Sequence, residues 1–129
     1  MAGCQRYGMV LKVRPERIDE YKMYHAEVWS GVARNITDCN ITNYSIYLKD
    51  DYLFSYFEYV GDDFAADMAK MAADPITKEW WEVMMPMQDP LPTRKEGEWW
   101  AEMEEVFLQN WINVVEVFDL NFKYWYQYA

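Results

Sequence analysis

The feature that most constrains the fold is a pair of strand-like runs in the middle of the chain, separated by only three residues. Residues 41–48 and 52–60 are both rich in β-branched and aromatic side chains, as strands are. The segment between them, Lys49-Asp50-Asp51, is short and polar, which is typical of a tight turn. The two runs therefore predict an antiparallel hairpin. The residues expected to share one face of its first strand are Thr42, Tyr44, Ile46 and Leu48.

The residues before the hairpin predict one strand and one helix. Apolar and polar side chains alternate over residues 7–13, which indicates a strand. Pro15 suits the first turn of a helix, and apolar residues then recur at helical spacing to about Ile36. We therefore predict one long helix, ended near Asn40 by a left-handed backbone conformation.

The residues after the hairpin predict two helices, a loop and a last strand. Asp63 suits the N-cap of a helix over residues 64–73. Asp74-Pro75 suits the start of a second, short helix that reaches about residue 85. Residues 86–97, which contain three prolines, predict a long loop, and residues 99–108 predict the last strand.

This order of elements predicts an α+β fold of the ferredoxin-like (split βαβ) class, an antiparallel sheet with helices on one face. Its other face would be rich in aromatic side chains, so we expect two copies to pair through their sheets as a homodimer, a dimeric α+β barrel. We assign residues 1–109 to this single domain. Residues 110–129 do not fit it and form a C-terminal extension: a packed addition, an arm exchanged between subunits or a translated cloning remnant.

Composition argues against several classes of function. The net charge of −10 comes from 22 acidic and 12 basic residues. The sequence has no cluster of Lys and Arg residues of the kind that binds nucleic acid or an anionic membrane. One histidine and two cysteines cannot supply the four Cys or His ligands of a zinc site. The N-terminus has no signal-peptide pattern, and no run approaches the about 20 apolar residues of a membrane span. We expect a cytoplasmic protein that needs no metal.

Tyr21 and His25 are the residues on the first predicted helix that most need an explanation. They lie four positions apart, and their face also carries the apolar residues Ile18, Val28 and Val32. Two titratable side chains directed inward are either hydrogen-bonded residues of the core or an acid/base pair at the bottom of a pocket. The helical pattern leaves both interpretations open.

Several segments of the chain resemble the L-rhamnose mutarotase family, over roughly residues 6–108 and in the family's order. The segments that carry the resemblance are Glu20-Tyr21-Lys22, His25-Ala26-Glu27-Val28-Trp29, Asn43-Tyr44-Ser45-Ile46-Tyr47-Leu48, Leu53-Phe54-Ser55-Tyr56-Phe57-Glu58, Asp74-Pro75, Trp80-Trp81 and Met103-Glu104-Glu105-Val106-Phe107. The chain departs from the family pattern at Asn40, where glycine is frequent, and after Phe107, where the family often continues with histidine and an acidic residue.

The resemblance implies a dimeric α+β barrel whose members interconvert the α and β anomers of L-rhamnopyranose without a cofactor. It implies that His25 is the catalytic acid and that Tyr21, Tyr44, Trp80 and Trp81 contact the sugar. Adjacent helical residues point about 100° apart, so we expect one tryptophan to stack on the sugar and the other to pack or close the rim. The expected partner is a small monosaccharide.

Two other functions are compatible with the predicted architecture. A non-catalytic module could use the same dimeric barrel to bind a sugar or another small molecule, because fold does not fix function. A small oxygenase or haem-handling enzyme of similar fold is the other alternative, although the Trp-Trp pair and the Tyr-His spacing argue against it.

Overall fold

The computed structural model describes residues 4–109. The extension predicted over residues 110–129 lies outside them. The strands are β1 (Gln5–Val13), β2 (Ile41–Lys49), β3 (Tyr52–Tyr59), β4 (Gln88–Asp89) and β5 (Ala101–Met103); the α-helices are α1 (Ile18–Ala26), α2 (Ser30–Asp38), α3 (Phe64–Ala73) and α4 (Pro75–Met84); 3-10 turns span Pro15–Arg17 and Met85–Met87. None of these helices is long and apolar enough to cross a membrane.

The strands form one antiparallel sheet in the order β2-β3-β1-β4, with β5 also paired to β1. The central pair, β1 and β3, is in register from Gln5 opposite Tyr59 to Lys12 opposite Tyr52. Helices cover one face of the sheet, and Val13, Leu53, Trp80 and Met84 pack in the core between the two layers. The predicted α+β, ferredoxin-like architecture is therefore confirmed.

The long helix predicted from Pro15 to about Ile36 is wrong, because the chain breaks between α1 and α2. Glu27 and Trp29 leave the helical conformation, with φ/ψ of −136°/69° and −56°/133°. The Trp29 carbonyl oxygen then accepts the first hydrogen bonds of α2, and its ring packs edge-on against Trp80 at 5.1 Å between centroids. This tertiary contact favours the break. The periodicity of the sequence does not reveal it, because the two residues are far apart in the chain.

A β-bulge changes the predicted faces of β2. Asn43 has a φ of 51°, and the pairing with β3 shifts register between Thr42 and Ser45. Thr42 pairs with Glu58 on the face away from the helices, whereas Tyr44 and Ile46 lie on the helix side. The prediction that Thr42 shares a face with Tyr44, Ile46 and Leu48 is therefore wrong. The extra residue brings Tyr44 to the side where the helices pack.

The C-terminal half of the sheet also differs from the prediction. The segment predicted as a loop over residues 86–97 contains strand β4, because Gln88 and Asp89 pair with Val13 and Lys12. The last strand is shorter than the predicted 99–108 and covers only Ala101–Met103. Beyond Met103 the chain contacts β1 through the Arg6–Glu105 ion pair instead of the strand ladder.

Asp74 is expected to stabilise the start of α4. Its Oδ2 accepts hydrogen bonds from the backbone N–H of Thr77 and from the Thr77 hydroxyl, both at 2.9 Å. Asp74→Ala removes this cap and should lower the free energy of unfolding in urea by about 1 kcal/mol. Asp62→Ala is the matched control, since Asp62 is exposed and caps no helix. Equal effects of the two substitutions would contradict the capping role.

Candidate functional site

A cavity of about 660 Å³ lies between the helix layer and the sheet. All five residues selected from the sequence line it: Tyr21 and His25 on α1, Tyr44 on β2, and Trp80 and Trp81 on α4. Its volume is within the range of small-molecule sites, and its wall is mainly apolar and aromatic with a few polar groups. The structure thus brings together residues that lie up to 60 positions apart in the chain.

The orientation of the His25 ring is set by its own helix. Nδ1 lies 2.8 Å from the backbone carbonyl oxygen of Tyr21. A carbonyl oxygen only accepts, so Nδ1 carries the hydrogen and the neutral ring has its lone pair on Nε2. Within residues 4–109, Nε2 makes no hydrogen bond. The half-buried ring therefore presents a free proton acceptor.

Two aromatic rings enclose the His25 imidazole. The Tyr21 ring stacks on it at 4.2 Å between centroids and 27° between planes. Trp80 packs edge-on at 5.4 Å and 72°. These contacts and the bond to the Tyr21 carbonyl restrict the rotation of the imidazole. The desolvation that they cause lowers the pKa of His25, and the hydrogen bond to the Tyr21 carbonyl only partly offsets this effect.

The pKa of His25 should therefore lie below its ordinary value of 6.5. The chain has one histidine, so its imidazole Cε1–H signal in a ¹H NMR titration is unambiguous. The unfolded chain would bind this proton at higher pH than the folded chain does. The contribution of His25 to the free energy of unfolding is therefore complete above about pH 6.5, and it is lost as the pH falls toward the pKa of the folded state. A midpoint at or above 6.5 would contradict the desolvated geometry.

Tyr21 is the most buried of the five residues, with 5% of its surface exposed. Burial raises its pKa, and a hydrogen bond from Gln88 partly opposes the rise. Nε2 of Gln88 lies 3.2 Å from the Tyr21 hydroxyl, and Oε1 of Gln88 accepts the indole N–H of Trp99 at 2.8 Å. The Tyr21 hydroxyl is thus held by Gln88 of β4, and Gln88 is itself held by Trp99 from the segment that precedes β5.

Tyr44 reaches the cavity from the opposite wall. Its ring stacks on Phe57 at 5.7 Å between centroids. Although 42% of its surface is exposed, that surface faces the concave space of the cavity, and the surrounding protein raises the pKa of Tyr44 to about 12 by desolvation. Its hydroxyl is therefore protonated at neutral pH and can donate a hydrogen bond to a ligand.

The two tryptophans of α4 have different surroundings. Trp80 is 6% exposed and packs against the rings of Tyr24, His25 and Trp29. Trp81 is 38% exposed and also lines the cavity. This difference in burial agrees with the roughly 100° between adjacent helical side chains. Trp80 is therefore the packed member of the pair, and Trp81 is the member with a free surface.

Sequence reasoning missed several residues of the cavity wall, above all Gln88 and Thr77. Both are buried polar side chains. Thr77 accepts a hydrogen bond from the Nδ2 of Asn35 at 2.7 Å. The Asp74-Pro75 start of α4 was a local signal that could have placed Thr77 in the first helical turn. Gln88 lay in a segment predicted as a loop, and no local pattern indicated that Trp99 and Tyr21 would enclose it.

The chain is similar in sequence and in fold to several known proteins. A family model described as L-rhamnose mutarotase matches residues 6–110. A UPF0734 protein of Dictyostelium discoideum is 34% identical over 101 residues, which are 74% of this chain and 81% of that protein. The L-rhamnose mutarotase of Listeria monocytogenes is 31% identical over 105 residues, which are 80% of this chain and 96% of that protein. The crystal structure of an L-rhamnose mutarotase from Formosa agariphila has a TM-score of 0.65 at 23% identity, covers 82% of this chain and 99% of its own, and supports the fold alone.

Proposed function

This chain belongs to the L-rhamnose mutarotase family, and we propose that it interconverts the α and β anomers of L-rhamnopyranose, or of a close deoxy-sugar, by opening and reclosing the pyranose ring. The enzyme is an isomerase. The observation that carries the proposal is the His25 imidazole, which lines an aromatic cavity with Nδ1 bonded to the Tyr21 carbonyl oxygen and with Nε2 making no hydrogen bond to any residue from 4 to 109.

Ring opening requires the removal of the anomeric hydroxyl proton and the delivery of a proton to the ring oxygen. His25 is suited to proton transfer, because imidazole gains and loses a proton near neutral pH. Neutral His25, with its free Nε2, takes a proton in the opening step. The imidazolium so formed is the acid that returns a proton when the ring closes.

The aromatic wall is suited to hold the sugar. The apolar C–H face of a pyranose and the methyl group of a 6-deoxy sugar can stack on the free surface of Trp81. The protonated hydroxyl of Tyr44 can donate a hydrogen bond to a sugar oxygen. Trp80 helps to hold the His25 ring in place by packing edge-on against it. No cofactor takes part in this scheme.

The sheet face away from the helices supports a homodimer. It exposes Tyr47, Tyr52 and Phe54, with 67%, 40% and 38% of their surfaces accessible. Covering these aromatic residues with the same face of a second copy would remove apolar surface from water. Light scattering should give the mass of two chains, and a monomer at micromolar concentration would contradict this assembly.

We further propose a cytoplasmic enzyme in which residues 1–109 act as one domain and residues 110–129 as an extension.

Magnetisation exchange between the two anomeric protons of L-rhamnose, measured by NMR with and without the protein, tests the function. Catalysed exchange at low protein concentration is the expected result, and L-fucose and other deoxy-hexoses then rank the substrates. A sugar that raises the melting temperature without any catalysed exchange would instead support the binding-module alternative.

A further inference from the structure

Two hydrogen bonds connect the segment before β5 to the hydroxyl of Tyr21, and their directions are fixed. The indole N–H of Trp99 can only donate, so the amide oxygen of Gln88 must face it at 2.8 Å. The amide NH₂ group of Gln88 then faces Tyr21, and it also can only donate. The Tyr21 hydroxyl oxygen must therefore be the acceptor of this second bond.

The proton of the Tyr21 hydroxyl is left free by this arrangement. Within residues 4–109 the hydroxyl makes no hydrogen bond as a donor, and the residue lines the cavity. The stacked ring of His25 supplies the complementary group, because its Nε2 is an acceptor. The two neighbouring rings thus present one donor and one acceptor to the cavity.

We propose that Gln88 is a positioning residue for anomer exchange, which holds the Tyr21 hydroxyl as an acceptor so that the tyrosine proton is directed to the ring oxygen of the sugar. The inference rests on the proposed mutarotase function and adds to it the origin of the second proton. Trp99 contributes by fixing the orientation of the Gln88 amide.

The proton balance of this scheme closes without any co-reactant. In the opening step, Nε2 of His25 takes the anomeric hydroxyl proton, the carbonyl forms, the bond between the anomeric carbon and the ring oxygen breaks, and the ring oxygen takes the Tyr21 proton. After rotation of the aldehyde, the ring oxygen attacks its other face and returns its proton to Tyr21, while His25 returns its proton to the anomeric oxygen. The hydrogen bond from Gln88 stabilises the transient phenolate, in agreement with its lowering effect on the pKa of Tyr21.

Gln88→Glu tests the direction of the bond, because it keeps the shape of the side chain and replaces the donor with an acceptor. The Tyr21 proton would then be held by the new carboxylate. We expect kcat for anomer exchange to fall by about 10²-fold or more, while KM changes by less than about 3-fold. Gln88→Met removes the bond without reversing it and should cause a smaller loss of kcat. If the glutamate variant fails to fold, as judged by thermal unfolding, the methionine variant carries the test.

A double-mutant cycle separates positioning from a general structural role. If Gln88 acts through the Tyr21 hydroxyl, Gln88→Glu and Gln88→Met should have almost no further effect on kcat in the Tyr21→Phe background. Losses that are independent of Tyr21, or equal for the two Gln88 variants, would overturn the inference. Absence of catalysed exchange in the unaltered protein would instead reject the mutarotase function itself, so the two failures are distinguishable.

Discussion

Replacing His25 with glutamine should reduce the catalysed exchange of L-rhamnose anomers by about 10²–10⁴-fold, the range for loss of a general acid/base group. Glutamine can still donate a hydrogen bond toward the Tyr21 carbonyl, but its amide does not exchange protons near neutral pH. The measurement is the NMR exchange rate between the anomeric protons, after subtraction of the uncatalysed rate. The loss should appear in kcat, because the aromatic wall that holds the sugar is unchanged.

Met23→Gln is the matched control for this substitution. Met23 lies on the same helix with 65% of its surface exposed, so the change introduces the same residue on the solvent side of α1. The control should retain the unaltered exchange rate, and both variants should remain folded by circular dichroism. Catalysed exchange that survives in a folded His25→Gln protein would remove His25 from the proton-transfer role.

The parts of the fold that depend on local chemistry were predictable from the sequence. Asp63 and Asp74 cap α3 and α4 through side-chain hydrogen bonds to Ala66 and Thr77, as an aspartate at an N-cap should. Asn40 has the predicted left-handed backbone, with a φ of 63°. These signals involve residues within a few positions of each other. Together with the strand patterns they were sufficient to predict the α+β architecture, although not the break between α1 and α2 or strand β4.

The features that sequence reasoning missed depend on contacts between distant residues. The break after α1 is accompanied by the packing of Trp29 against Trp80, 51 positions later in the chain. The bulge at Asn43 is a mismatch between two paired strands, which the pattern of one strand does not report. Gln88 is held between Trp99 and Tyr21, and Tyr21 lies 67 positions away. Each of these features exists only once the sheet and the helices have packed.

The five residues proposed for the site were chosen on two grounds. Tyr21 and His25 are four positions apart on one helix, so local spacing singled them out. The likeness to a known family then added Tyr44, Trp80 and Trp81. Which tryptophan is packed and which is free depends on the position of α4 against α1, so it required the structure.

Trp80 and Trp81 are adjacent, but their replacement by alanine should affect different properties: the stability of the protein for Trp80 and the KM for the sugar for Trp81. Trp80→Ala deletes a ring that is 6% exposed and packs against Tyr24, His25 and Trp29, so it should lower the free energy of unfolding by about 3–5 kcal/mol. Trp81→Ala removes a ring with 38% of its surface free, so its effect on stability should be smaller than that of Trp80→Ala.

Trp81→Ala should affect the binding of the sugar more than it affects the stability of the protein. If Trp81 stacks on the pyranose, its loss removes an aromatic contact of about 0.5–1.5 kcal/mol and should raise KM for L-rhamnose by about 2- to 10-fold, with kcat retained. Each variant is the control for the other, since the residues differ only in the direction in which they leave α4. Urea unfolding and the dependence of the exchange rate on sugar concentration measure the two effects. A large loss of stability in Trp81→Ala with KM unchanged would assign Trp81 to the core and leave the sugar without its proposed platform.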